Sequence, residues 1–254
     1  MLNCENLTFQ YNRGGKAVLD GASLTLEQGQ IGIVLGKNGS GKTTLFKNIL
    51  GIHSPKSGRI RIHGKNLAKM NRWERARRIA YVPQDIRFGE LSVFDSILMG
   101  RISYFGLKAG EQDYMAVEKI LKDMDLTAFA ARNVETLSGG ERQKIAIARA
   151  MAQEPELMIF DEPTGNLDMG NEQLILSEAK KLAREMGISI LSSLHDLNQA
   201  LAFGDKFFFM KDGVIKYAGG PECVNEAVIR DIYGVDVKIL ELDGRKVILN
   251  ATVA

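Results

Sequence analysis

Residues 36–44, Gly-Lys-Asn-Gly-Ser-Gly-Lys-Thr-Thr, hold the densest potential chemistry in the chain. Glycines at 36, 39 and 41 permit positive φ and let successive main-chain amides face a single anion. The apolar run 31–35 precedes them and the helix-like Leu45-Phe46-Lys47-Asn48-Ile49-Leu50 follows. Strand, glycine loop and helix N-terminus therefore arrive in the order a phosphate cradle needs. Lys42 is placed to reach β- and γ-phosphates, and the Thr43 hydroxyl suits Mg²⁺. A glycine-rich turn ahead of a capped helix is the plainer alternative. The strand-to-helix context favours the cradle, and makes Gly36, Lys37, Asn38, Gly39, Ser40, Gly41, Lys42, Thr43 and Thr44 the candidate binders of a nucleotide.

Three further apolar runs end in polar groups: 79–82 leads through Pro83 to Gln84, 157–160 to Asp161-Glu162, and 188–194 to His195. In a parallel sheet such carboxyl ends share one edge, where α/β folds bind ligands. Mg²⁺ takes oxygen ligands and keeps several waters, so Asp161, after a buried strand, is the carboxylate that complements Thr43. Glu162 then stands where a base polarises water for in-line attack on a γ-phosphorus, since phosphoryl transfer needs mainly positioning and charge stabilisation. Each residue has a structural counter-reading: the carboxylate pair as a loop or helix start, Gln84 as a turn residue, His195 as a satisfied structural histidine. Tyr11 is either a core or edge aromatic or a ring offered to a nucleotide base. Leu137-Ser138-Gly139-Gly140-Glu141 opens another helix. Ser138 and Glu141 have capping-box spacing, yet the consecutive glycines leave an open helix start that suits a second anion, from the same nucleotide or from one held by another copy.

The elements that must position these groups follow from periodicity. Residues 2–11 alternate with Leu7, Phe9 and Tyr11 on one face, and Leu24-Thr25-Leu26 suggests an antiparallel partner. A short strand over 59–64 and a helix over 71–78 follow, the arginines at 72, 75, 77 and 78 reading as a solvated face. Segments near 92–100, 111–124 and 140–153 are helical, and 171–186 joins two buried strands as a βαβ crossover. Asp212-Gly213 and Asp243-Gly244 mark hairpins. The expected architecture is α/β, with a nucleotide-binding core over 1–86 and 154–220, a helical insertion over 87–153, and a C-terminal extension over 221–254 read as an added hairpin.

At 254 residues the chain is long enough for one domain with an inserted subdomain. A formal charge of +2, without long basic or acidic blocks, gives no footprint for nucleic acid. Two cysteines, Cys4 and Cys223, lack metal or disulfide spacing and fit a reducing compartment. No secretory leader is expected from the first residues, and no run reaches the ~18 apolar residues of a membrane helix. A membrane role therefore calls for another chain.

With residues 36–43, Gln84, 137–141, 157–162, Asp168 and His195 in this order, essentially the whole chain resembles the ATP-binding subunits of ABC transporters. The Leu-Ser-Gly-Gly-Glu stretch is highly specific where it follows a P-loop. The resemblance implies a P-loop NTPase core of RecA-like type, with a mainly parallel sheet, an antiparallel β subdomain and an inserted helical subdomain. It implies an ATPase that uses Mg²⁺ and works as a head-to-tail homodimer, Ser138, Gly139 and Gly140 of one copy meeting the γ-phosphate held by Lys42 of the other. By the same carry-over Tyr11 stacks on adenine, Gln84 senses Mg²⁺ and links to transmembrane permease subunits, Asp168 lies at the dimer seam, and His195 contacts the γ-phosphate. Such subunits sit peripherally on the cytoplasmic face of the cell membrane, and a substrate-binding protein acts on them only indirectly.

Narrower similarities point to importers of iron chelates, haem or cobalamin: Gly100-Arg101, residues 194–200, and Ile232-Tyr233-Gly234-Val235. Gly165-Asn166-Leu167-Asp168 instead resembles the loop of lipoprotein or macrolide exporter ATPases, which keeps an exporter or lipoprotein-release system as the rival. A soluble ABC-type protein acting on ribosomes or DNA generally carries tandem ATP domains or long coiled coils, and neither fits in this chain. A GTPase switch lacks its Asn-Lys-x-Asp stretch. Residues 88–106 are the expected permease-docking surface, with Phe88, Tyr104 and Phe105 either exposed docking aromatics or core.

Overall fold

A computed structural model describes residues 1–250 apart from 13, 85 and 166, so Asn166 of the exporter-like loop and residues 251–254 of the extension lie outside the described residues. The chain opens with β1 (Leu2–Phe9), β2 (Leu19–Leu26), β3 (Ile31–Leu35), α1 (Lys42–Ile49), β4 (Ser57–Ile62) and β5 (Lys65–Asn66). It continues with α2 (Arg72–Arg78), β6 (Ile79–Val82), α3 (Val93–Leu98), α4 (Glu111–Asp123), α5 (Gly139–Met151), β7 (Leu157–Asp161) and α6 (Met169–Met186). It ends with β8 (Ser189–Ser193), α7 (Leu197–Phe203), β9 (Lys206–Lys211), β10 (Val214–Gly219), α8 (Glu226–Tyr233), β11 (Val237–Leu242) and β12 (Arg245–Asn250). Among the described residues no helix is long and apolar enough to cross a membrane.

Two compact units form, Met1–Lys69 with Ser189–Ala254, and Met70–Ile188. In the first, an antiparallel sheet runs in the order β2-β1-β4-β5. Beside it in the same unit, β3 lies between β8 and β9, parallel to both, and β10 adds antiparallel to β9. Every residue of β3 and β8 is buried, as are residues 207–210 of β9, which is why β3 and β9 read as unbroken apolar runs rather than alternating ones. β1 departs from simple alternation. Leu2 and Cys4 are buried, then Leu7 and Phe9, because a register shift between Cys4 and Leu7 moves the buried face by one residue. Tyr11 falls beyond the strand and is 56% exposed, so it does not share the buried face of Leu7 and Phe9.

In the second unit β6 and β7 pair in parallel, Ile79 opposite Leu157 through Val82 opposite Phe160. α5 buries Ile145, Ala146, Ile147 and Ala148. None of the α2 residues is buried, yet its arginines are not all free in solvent. Arg77 donates to the Ser103 carbonyl at 2.6 and 2.9 Å, and Arg78 pairs with Glu156. Both expected hairpins form, with Asp212 and Asp243 at φ 50° and Gly213 and Gly244 at φ 81° and 73°, the signs a two-residue hairpin turn demands. The extension holds more than its hairpin: α8, capped by Asn225, precedes it.

Candidate functional site

β3 delivers the chain to Gly36, where φ is 153° and a Cβ would stand 2.3 Å from the Met210 carbonyl oxygen. Gly41, at φ 110°, caps α1, and a Cβ there would meet Met210 Cε at 2.8 Å and the Val18 carbonyl oxygen at 2.9 Å. The loop is thus pressed against the turn between β9 and β10, whose Gly213 donates to the Ser40 carbonyl at 3.0 Å. Lys37, Asn38, Gly39 and Thr43 stay exposed, while Ser40, Lys42 and Thr44 are buried. Lys42 Nζ donates to the carbonyls of Gly36 at 2.8 Å and Lys37 at 3.3 Å, which curls its ammonium over the loop. The Tyr11 hydroxyl lies 3.1 Å from Thr44 Oγ1, and its ring packs edge-on against Phe9 and His53 at 5.1 and 5.4 Å. Tyr11 is therefore tied to the cradle with half its ring open, and is not a core aromatic.

The start of α1 is electrostatically unusual. Among the described α-helices it is the one with neither a capping side chain nor an acidic residue in its first turn. Asn71, Ser92, Ser138, Asp168, Asp196 and Asn225 cap six of the others, and Glu111 and Asp113 lie in the first turn of α4. The partial positive charge of α1 therefore meets no acidic side chain of its own first turn, a setting that suits an anion.

In the second unit β7 buries Asp161 at its end and turns sharply at Glu162, where φ is 51°. Gly165 donates to the Glu162 carbonyl at 3.1 Å and closes the turn. Gln84 lies over the same turn: a Cβ built on Gly165 would stand 3.3 Å from Gln84 Nε2. The Tyr81 hydroxyl donates to Asp161 Oδ2 at 3.4 Å, and burial, with the nearby Asp161 carboxylate, pushes the Tyr81 hydroxyl up to about 12. Gln84, Asp161 and Glu162 are thus gathered on one turn, which sequence separation alone did not establish.

The start of α5 is a formed capping box. Glu141 N–H donates to Ser138 Oγ at 3.3 Å, and Glu141 Oε2 accepts from Ser138 N–H at 2.8 Å and Ser138 Oγ at 2.7 Å. The Ser138 hydroxyl, then its amide, hold the Glu141 carboxyl below its ordinary range. Ser138 and Gly139 are exposed, but Gly140 is not open: a Cβ there would fall 2.1 Å from Asn171 Oδ1. Asn171 is itself held by Asp168, through its N–H at 2.9 Å and its Nδ2 at 2.8 Å, and these two bonds hold the Asp168 carboxyl below its ordinary range. The helix start expected to lie unshielded is therefore half covered, by an asparagine with no motif to announce it. In the first unit His195 is exposed between β8 and Asp196, which caps α7 by accepting from Gln199 N–H at 2.8 Å.

The family model described as ABC transporter matches residues 19–165. An uncharacterized ABC transporter ATP-binding protein of Methanocaldococcus jannaschii is 36% identical over 98% of this chain and 97% of its own length. A phosphonates import ATP-binding protein of Rhodopseudomonas palustris is 32% identical over 93% of this chain and 90% of its own. Among solved structures, an ABC transporter in an inward-facing conformation, described as of metal-chelate type, matches with a TM-score of 0.85 and 30% identity over 100% of this chain and 99% of that one.

Proposed function

Because the chain belongs to the ABC transporter family as an ATP-hydrolysing, ATP-binding subunit, we propose that it energises uptake of an iron chelate, haem or cobalamin-type compound, working as a dimer against membrane permease subunits. The observation that carries the nucleotide half of this reading is the N-terminus of α1, with neither a capping side chain nor a first-turn acid, behind the glycine loop over residues 36–41. The main chain of Gly36, Lys37, Asn38, Gly39, Ser40 and Gly41, with Thr44 at the helix start, takes the phosphates, and Lys42 turns its ammonium from loop carbonyls toward the β- and γ-phosphates. Tyr11, anchored through Thr44, offers its open ring to the adenine. The donors present suit magnesium, for the Thr43 hydroxyl, the Asp161 carboxylate and the Gln84 amide are all oxygen groups. When bound, the ion neutralises charge on the phosphates. Glu162 takes the proton of the attacking water, His195 addresses the γ-phosphate, and Ser138 and Gly139 of a second copy close over it, Gly140 being covered by Asn171.

Uptake is favoured over export by the relatives just described, together with Gly100-Arg101, residues 194–200 and residues 232–235. Phe88 is buried beneath the Arg149 guanidinium, and Tyr104 is clasped by Arg77 and Arg101, so neither serves as docking surface. Met99, Ile102 and Leu107, at 47%, 46% and 103% exposure, are the apolar groups offered to a permease on the cytoplasmic side of the membrane. Phosphonate uptake is the second reading, favoured by the Rhodopseudomonas relative. Purifying the chain from membranes with its companions and reconstituting the assembly in vesicles tests all of this. The expected result is MgATP hydrolysis stimulated by a metal chelate and its capture protein. Stimulation by phosphonates alone would transfer the assignment to the second reading, and absence of any copurifying membrane protein would overturn both.

A further inference from the structure

Within the first unit, three rings gather beside the cradle, and the chemistry above uses one of them. Phe9 ends β1 and is buried, Tyr11 follows it, and His53 comes from the turn after α1. The His53 ring stacks on Phe9, with centroids 4.9 Å apart and planes 13° from parallel. Tyr11 stands perpendicular to both, at 5.1 Å from Phe9 and 5.4 Å from His53. Stacked and edge-to-face pairs at such separations are the arrangements aromatic quadrupoles favour. His53 is rooted in the helix that opens the cradle: its main-chain N–H donates to the Lys47 carbonyl of α1 at 3.1 Å. His53 Nε2 is buried and, among the described residues, makes no hydrogen bond. Its neighbours therefore meet the imidazole chiefly as a flat ring, and phenylalanine is its conservative substitute. Tyr11 is thus tied to α1 twice, by its hydroxyl to Thr44 in the first turn at 3.1 Å and by its ring to a residue just past the last turn. It nevertheless stays 56% exposed, so one part of the ring is clamped while the rest is open. A side chain already held in one rotamer loses less freedom when a ligand packs on it.

We propose that His53 is a positioning residue for the base of the nucleotide: with Phe9 it holds the Tyr11 ring in place before ATP arrives, so that adenine meets a ring already set. The effect on binding rests on the reading of Tyr11 as the adenine contact; the placement of the ring does not. His53→Ala removes the imidazole, His53→Leu keeps much of its bulk without its plane, and His53→Phe keeps both. Calorimetry is expected to show MgATP affinity about three- to tenfold weaker in the alanine and leucine variants, the scale of one or two aromatic contacts, and restored in His53→Phe. Magnesium tripolyphosphate, which has the phosphates and no base, is expected to bind all three variants as it binds the wild type. In the nucleotide-free protein, NMR is expected to show Tyr11 ring protons displaced by the ring currents of Phe9 and His53, with cross-peaks to His53, and to show them moving toward free-tyrosine positions in His53→Leu. Unchanged MgATP affinity in both the alanine and leucine variants overturns the proposal. Equal losses for MgATP and tripolyphosphate also overturn it, since His53 would then support the phosphate loop and not the base. Should the wild type bind MgATP no better than magnesium tripolyphosphate, Tyr11 fails as the adenine contact, and the Tyr11 resonances still decide whether His53 sets the ring.

Discussion

Glu162 holds a left-handed backbone, φ 51°, immediately after β7, a conformation that costs a non-glycine residue about 1–3 kcal/mol. Strain of this kind persists where the surroundings fix it, here by the Gly165-to-Glu162 main-chain bond and the overlying Gln84. The turn thus separates Glu162 from Asp161, which stays buried at the strand end. Glu162→Gln keeps shape and strain but removes the base, so turnover of the purified protein is expected to fall ~10²-fold or more with calorimetric MgATP affinity preserved. Undiminished hydrolysis would remove Glu162 from the mechanism. Lys42→Ala, by contrast, is expected to weaken MgATP binding itself, and an affinity equal to wild type would contradict the phosphate role. The positions of Lys42 at a helix start and of Asp161 and Glu162 at a strand end were legible, because a glycine loop leads into the one and an apolar run straight into the others. The contacts of Asn171 and Asn198 were not, since they lie with distant partners: Asn198 and Ile248 are 50 residues apart.

At the scale of elements, the short apolar runs gave strands and the glycine-aspartate pairs gave hairpins, because both signals are local. α8 escaped because its eight residues sit between Pro221 and a hairpin signal, too short a span for periodicity to stand out. The shift in β1 escaped because a bulge has no residue signature here. Gly100-Arg101, a motif from the sequence, proves to be packing. A Cβ on Gly100 would lie 2.1 Å from the Arg149 carbonyl oxygen, which only glycine permits against α5. Arg101, 8% exposed, bonds Asp113 at 3.1 Å, Glu154 at 2.6 Å and the Ala152 carbonyl at 3.2 Å. Arg101→Ala leaves Asp113 buried without its cation, so urea unfolding is expected to show a loss of about 3–5 kcal/mol; a loss below ~1 kcal/mol would mean the cluster is incidental. The α5 cap is a separate case. A carboxyl held below its ordinary range contributes fully above that range, and the contribution fades as pH falls through its lowered value. Protection of the amides over 138–142, taken relative to the intrinsic exchange rate at each pH, is therefore expected to fall on acidification, and Glu141→Gln to flatten that acid limb. An unchanged limb in the variant would assign the effect to another group.

Over the whole molecule, the two helix starts assigned to phosphate are not equivalent, and the difference sets an order of events. The start of α1 has no capping side chain, whereas that of α5 is capped by Ser138 with its own Glu141 and flanked by Asn171 at Gly140. On the proposed reading a single chain binds nucleotide through residues 36–44, and the exposed Ser138 and Gly139 add affinity only when a γ-phosphate held by another copy competes with Glu141 for the Ser138 hydroxyl. That reading makes association conditional on the triphosphate, as an energy-coupling cycle needs: loss of the γ-phosphate would return Ser138 to Glu141 and release the pair. In a Glu162→Gln background, which preserves ATP, light scattering is expected to show dimers with MgATP and monomers with MgADP. Adding Ser138→Arg places a bulky cation on that surface and removes a cap worth about 1 kcal/mol, a loss small enough to leave the fold intact. The double variant is expected to bind MgATP with unchanged monomer affinity and to remain monomeric at every nucleotide concentration. Normal ATP-driven dimers from it would show that the start of α5 faces something other than a neighbour's phosphate.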